Sequence, residues 1–229
     1  MKVIVIGLGN FGSAVATKLA ALGHEVIGVD SIEQRVENIK DKVTYAITVD
    51  CTDATVLKSL PIEEADIVVV AIGEDLGASI LITALLKKFN VKRIVSRAIS
   101  PIHRTILEAI GVVEILNPEE DSAERFVTKI TLKNVIDSLN ISDEYSVVEV
   151  VVPNLYIGLT VAEVDLRKNF SLNILTIKKD IQKHILTKDY YQTKIIGVVT
   201  HDYRFEPNDV LVIFGHIDDI KRWIEKTNK

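Results

Sequence analysis

The feature that most narrows what this chain can fold into is the run Gly7-Leu8-Gly9-Asn10-Phe11-Gly12, which directly follows a β-branched stretch at residues 3–6 and opens an amphipathic stretch at 11–22. Strand, glycine turn and helix in that order begin a strand–helix–strand unit. In such a unit one glycine permits the tight turn, a second lets backbone N–H groups approach a pyrophosphate, and a third lets the helix pack closely on the sheet. The phosphates then lie on the positive end of the helix dipole. Val15, Leu19 and Leu22 recur at helical spacing, and Gly23 is the stop signal.

Downstream, short β-branched runs alternate with amphipathic segments, which predicts strands at 3–6, 25–29, 44–48, 67–70, 93–96 and 113–116 with helices between them, one at 76–89. The expected fold is α/β: a Rossmann-like doubly wound parallel sheet over residues 1–118. Residues 119–140 are predicted to be a crossover helix or connector, with Glu119, Glu120 and Asp121 suited to its N-terminus. Its apolar residues Phe126, Val127, Ile130, Leu132, Val135, Ile136 and Leu139 keep no single narrow stripe. The helix therefore either breaks near Thr131 or is buried on two sides, and the second case implies a partner subunit. Residues 141–229 read as a small α+β domain. Its strands are expected at 147–152, 172–178 and 210–214; a capping box, Thr160 with Glu163, opens a short helix, and Ile217, Ile220, Trp223 and Ile224 mark a last one.

Composition removes several classes of function. A net charge of −5 supplies no broad basic field for nucleic acid or anionic lipid. One cysteine excludes an intrachain disulfide or a thiolate cluster and fits a reducing compartment. The opening MKVIVIGLGN reads as a buried strand rather than a signal peptide, and no apolar run approaches the roughly 20 residues of a membrane helix.

The chemistry-bearing residues cluster at predicted strand ends. Asp30, with Ser31 beside it, ends the second strand, where a carboxylate accepts hydrogen bonds from ribose hydroxyls and repels a 2′-phosphate. NAD, ATP, ADP and AMP all satisfy it. Asp50-Cys51-Thr52-Asp53 ends the third strand, with a base-side contact expected there and Cys51 read as a packing residue rather than a nucleophile. Ala71-Ile72-Gly73 ends the fourth with small residues that suit close approach of an adenine or a dinucleotide bridge, or simply a strand-to-helix turn. Arg97 follows the fifth as a cation able to bind phosphate, and His103 is read as a surface residue at a helix start. No metalloprotease, nucleophile-elbow or Walker A motif occurs.

This ordered set resembles the RCK proteins, regulators of potassium conductance, of the Ktr and Trk uptake systems, most closely the Ktr type. The likeness covers nearly the whole chain. It rests on the G-L-G-x-F-G turn, Asp30, the 50–53 strand end, V-A-I-G at 70–73, L-E-x-I-G at 107–111, Pro118-Glu119, Asp143-Glu144-Tyr145-Ser146, and Gly215-His216 with Asp219-Ile220-Lys221-Arg222. The resemblance implies a cytoplasmic regulatory subunit without enzymatic activity. It would form a dimer, assemble into a ring and act on an integral membrane potassium channel or transporter at the inner face of the membrane. It implies ATP or ADP, or NAD(H), as ligand at Gly7, Gly9, Asn10, Phe11, Gly12 and the strand-end residues. Glu119 matches a carboxylate that helps hold a divalent cation, Mg or Ca, at the dimer interface, and cyclic di-AMP is implied for the C-terminal domain. The sequence departs from the Ktr pattern at Asn10, where relatives commonly place an arginine, and at 181–206, which are longer than usual. Two other readings share the glycine turn: an NAD-dependent Rossmann oxidoreductase, which must add a proton donor, and a nucleotide-binding regulator of a different cation transporter.

Overall fold

The computed structural model describes residues 1–132, 134–185 and 188–227, and their side chains except those of 180–192. The chain divides into two compact units, Met1–Glu119 and Glu120–Lys229.

In the first unit the strands are β1 (Lys2–Ile6), β2 (Glu25–Asp30), β3 (Tyr45–Thr48), β4 (Ile67–Val70), β5 (Ile94–Arg97) and β6 (Glu114–Leu116). They form one parallel sheet in the order β3-β2-β1-β4-β5-β6. Helices α1 (Asn10–Ala21), α2 (Glu33–Glu37), α3 (Ala54–Ser59), α4 (Leu76–Lys88) and α5 (Pro101–Ile110) connect them. Alternation along β1 explains why both faces are covered. Ile4 and Ile6 pack in one cluster with Leu57 of α3 and Ile82 and Leu86 of α4, while Val3 and Val5 pack in another with Ala16 of α1 and Val36 of α2. Chain order reverses between β1 and β4, so the crevice beyond their carboxyl ends is the topological switch point, where open α/β sheets bind ligands.

Helix α6 (Pro118–Thr131) spans the boundary between the units. The second unit holds an antiparallel sheet in the order β10-β9-β11-β8-β7, built from β7 (Val135–Asn140), β8 (Tyr145–Val151), β9 (Asn173–Ile185), β10 (Lys188–Ile195) and β11 (Val210–His216), with α7 (Val161–Val164), α8 (Leu166–Phe170) and α9 (Ile217–Thr227). Its core gathers Val148, Val150, Leu172, Ile177, Phe205, Leu211, Ile213 and the α9 residues Ile220, Trp223 and Ile224. Trp223 Nε1 donates to the Tyr156 hydroxyl at 3.1 Å, satisfying a buried polar atom. The capping box forms: Thr160 Oγ1 accepts from the Glu163 amide, and Glu163 accepts from the Thr160 amide at 2.7 Å.

Two expectations need correction. Of the two alternatives for the connector at 119–140, the break near Thr131 is the one seen, since α6 ends at Thr131; the residues after it do not resume a helix, because Val135–Asn140 is a strand beside β8. A bulge between Val135 and Asp137 turns both Val135 and Ser138 inward, and that spacing of three reads as helical in the sequence. The run predicted at 172–178 extends to Ile185 and pairs with β10, a strand the sequence reading missed. Lys188–Ile195 has polar residues on both parities, so no period-2 apolar signal marks it. Residues 186 and 187, within the long 181–206 segment, lie outside the described residues.

Candidate functional site

The carboxyl ends of the first unit's strands surround a cavity of about 660 Å³, within the range of small-molecule sites. Gly7, Gly9, Asn10, Phe11, Asp30, Ser31, Asp50, Cys51, Thr52, Ala71, Ile72, Gly73, Arg97 and Glu119 all line it; Gly12 lies beneath.

The three glycines of the turn answer to different demands. Gly7 has φ +94, and a Cβ there would lie 2.8 Å from Ile72 Cγ1. A Cβ on Gly12 would fall 1.8 Å from the Gly7 carbonyl oxygen, so the close approach of α1 admits no side chain. Gly9, the N-cap of α1, has φ −65, and a Cβ there meets nothing within 4 Å. The fold does not require glycine at that position; the space beside it opens into the cavity.

Asp30 is buried and already engaged. Its Oδ2 accepts from the Leu8 amide at 2.6 Å and its Oδ1 from the Ile32 amide at 2.9 Å, which ties the glycine turn to the end of β2. A carboxylate has about four acceptor sites, so ribose hydroxyls can add to these bonds. Arg35, on α2, stands 3.7 Å from Asp30 and pairs with Glu74 at 2.7 Å. Sequence reading passed over both Arg35 and Glu74. The available signal was a cation in the first helical turn after β2, five residues past Asp30.

At the end of β3, Asp50 accepts from the backbone N–H and then the hydroxyl of Thr52, which hold its carboxyl below the usual range. Asp53 departs from the expected ligand group: it caps α3, accepting from the Thr55 amide at 2.7 Å. Burial, aided by Asp50 and Asp30, pushes the Cys51 thiol up to about 12, so it stays protonated at neutral pH and is a poor nucleophile.

Arg97 lines the crevice from the end of β5. Its guanidinium lies 5.7 Å from the Phe11 ring centroid, donates to Glu119, and covers Gly73, where a Cβ would come within 2.5 Å of Nη1. Its Nε is buried with no hydrogen-bond partner among the described residues. Glu119, expected to help hold a cation, is therefore paired with an arginine. Among the described residues no three His, Cys, Asp or Glu side chains are grouped to hold a metal. One engaged carboxylate does not by itself fit a resident metal. Lining charge totals two cations, Arg35 and Arg97, against five carboxylates, Asp30, Asp50, Glu74, Asp75 and Glu119.

His103 is not the surface residue expected. It is fully buried, its Nδ1 accepts from the Ile99 amide at 3.4 Å, and burial lowers its pKa. It is placed there because Ser100 caps α5 and Pro101 starts it, which turns the third helical residue inward.

In the second unit a smaller concavity of about 420 Å³ is lined by Ala162, Asp165, Arg167, Asn173 and His201 among others. Arg167 Nε donates to Asn173 Oδ1 at 2.8 Å there.

With this geometry in hand, comparison with known proteins is specific. Residues 3–118 match the TrkA-N domain model. The Ktr system potassium uptake protein C of Bacillus subtilis is 35% identical over 219 residues, covering 96% of this chain and 94% of that protein. The Ktr system potassium uptake protein A of the same organism is 33% identical over 219 residues, covering 96% and 93%. A solved structure of the GsuK channel bound to NAD has the same fold over 100% of this chain, with a TM-score of 0.65 and 14% identity; this chain spans 39% of that one. A doubly wound sheet with its glycine turn at the switch point, a family match over half the chain and near full-length likeness to Ktr proteins together place this chain in the TrkA-N, or RCK, family.

Proposed function

We propose that this chain is a nucleotide-sensing regulatory subunit, acting from the cytoplasm on a membrane potassium channel or transporter. The observation that carries the sensing half is Gly9: a glycine that the fold does not need, facing open space at the switch point of a doubly wound sheet. The ligand is an adenine nucleotide with free ribose hydroxyls, ATP, ADP or NAD(H). Residues 7–12 lie at the phosphates, Asp30 and Ser31 at a ribose, Asp50 to Thr52 at the base side, and residues 71–73 beneath the ligand. The partner half rests on the likeness to Ktr potassium uptake proteins. Among the described residues no helix is long and apolar enough to cross a membrane, so the ion path belongs to another chain in this reading.

Regulation rather than catalysis is favoured because the cavity's one thiol is held protonated and its carboxylates and arginines are paired with each other or with backbone amides. A divalent cation, Mg or Ca, would join at Glu119 only with phosphate oxygens completing its shell. Cyclic di-AMP is assigned to the second unit, where Arg167 and His201 line a concave surface. Thermal shift of the pure chain with ATP, ADP, AMP, NAD, NADH and cyclic di-AMP tests this, because a ligand selective for the folded state raises Tm. A rise with an adenine nucleotide is expected; no rise with any of them rejects the sensing role.

A further inference from the structure

Among the described residues, Arg97 and Glu119 are the pair in the cavity that joins a lining cation to the helix leaving the first unit. Arg97 ends β5, and its side chain is 16% exposed. It lies between the Phe11 turn that follows β1 and Gly73 that follows β4, which is the crossing point for a ligand's phosphates in a doubly wound sheet. Arg35, the other lining cation, is tied to Glu74 and stands at Asp30, and position 10 is a neutral asparagine. Among the described residues the phosphate end therefore has a single positively charged side chain, Arg97, and it is already held by Glu119.

We propose that Glu119 is an intramolecular competitor of the nucleotide's phosphates for Arg97, and that its displacement is how occupancy reaches the start of α6. The inference rests on the proposed nucleotide site. Three features make the exchange feasible. Glu119 is 60% exposed, so its hold on Arg97 is solvent-screened and weak. A guanidinium has five donors, of which Nη2 serves Glu119, so release of Glu119 leaves that edge of Arg97 for a charge-assisted phosphate contact. Glu119 is also the second residue of α6, where a released carboxylate remains stabilised by the helix dipole. Ligand binding thus trades one anion on Arg97 for another and frees a carboxylate on the first turn of α6.

The test is calorimetric titration of ADP, NAD and inorganic pyrophosphate into the full chain in the presence of a chelator, so that loss of a cation ligand does not enter. Removing the competitor with Glu119→Gln should tighten ADP binding roughly two- to fivefold, the range for a screened ion pair. Arg97→Gln should weaken ADP binding, and adding Glu119→Gln to it should produce no further gain. Wild-type affinity or weaker in Glu119→Gln, or a gain that persists without Arg97, overturns the competition while leaving the nucleotide site standing. A wild-type chain that binds none of the three probes removes both.

Discussion

At the scale of single residues, Gly9 and Gly12 belong to one sequence motif but separate when their surroundings are measured. Gly12 is enclosed by the Gly7 carbonyl, so Gly12→Ala should cost about 3 kcal/mol or more by overpacking and lower Tm even without ligand. Gly9 sits at an N-cap with extended ψ and open space, where serine is a favourable residue. Gly9→Ser should therefore keep or slightly raise ligand-free stability yet diminish the nucleotide-induced rise in Tm, a split that differential scanning fluorimetry reads directly. Asp30 mixes both roles, since removing its carboxylate frees the buried Leu8 amide as well as any ribose contact. Its site role is better tested with Asp30→Asn, which retains one acceptor oxygen, than with alanine. His103 carries a pH dependence. Burial lowers its folded pKa, so below the unfolded value of about 6.5 the unfolded chain binds the extra proton first. Stability present above about pH 6.5 is then lost as pH falls. Tm measured from about pH 7.5 down to about pH 5.5 should drop more steeply in the wild type than in His103→Gln.

At the scale of elements, the first unit's helices and strands were legible because each reports its own burial. The strands β1, β2, β4 and β5 are buried on both faces and read as continuous β-branched runs, and the helices carry caps such as Asp53, Asp75 and Ser100. The second unit was legible where a local hydrogen-bond rule applied. Thr160→Ala removes one half of its capping box and should cost about 1 kcal/mol, seen as a lower denaturant midpoint at unchanged slope. β7 was not legible, because its bulge replaces the two-residue period and its partner strand β8 lies beyond the turn that follows it. Arg125 pairs with Asp137 of β7 at 2.7 Å, which links the middle of α6 to that strand and lowers the aspartate's pKa. Nothing in the two residues' spacing announces that link.

At the scale of the whole molecule, α6 leaves Phe126, Val127 and Ile130 at 62%, 51% and 63% exposure, an apolar stripe at helical spacing on a charged helix. A second copy of the chain is the expected cover, in keeping with the dimer that the resemblance to RCK proteins implies. Light scattering of Ile130→Glu should give about the monomer mass of 25.4 kDa where the wild type gives a multiple of it. Circular dichroism and the nucleotide-dependent rise in Tm should stay intact, since Ile130 does not line the cavity. A wild type that is itself monomeric at high micromolar concentration would remove the stripe's assigned role.

The sequence by itself determined the parallel sheet, the place of the glycine turn within it and the strand ends that meet at the crevice. Those follow from side-chain periodicity and backbone sterics, which act over a few residues and leave a mark at each position. Only the tertiary structure decided that Arg97 is held by Glu119, that Arg35 pairs with Glu74 beside Asp30, and that His103 is buried. These are pairings between residues 22 and 39 positions apart, and one burial set by how α5 packs. Charge and polarity do not reveal them along the chain, because a charged side chain's partner is chosen by the fold that brings the strand ends together.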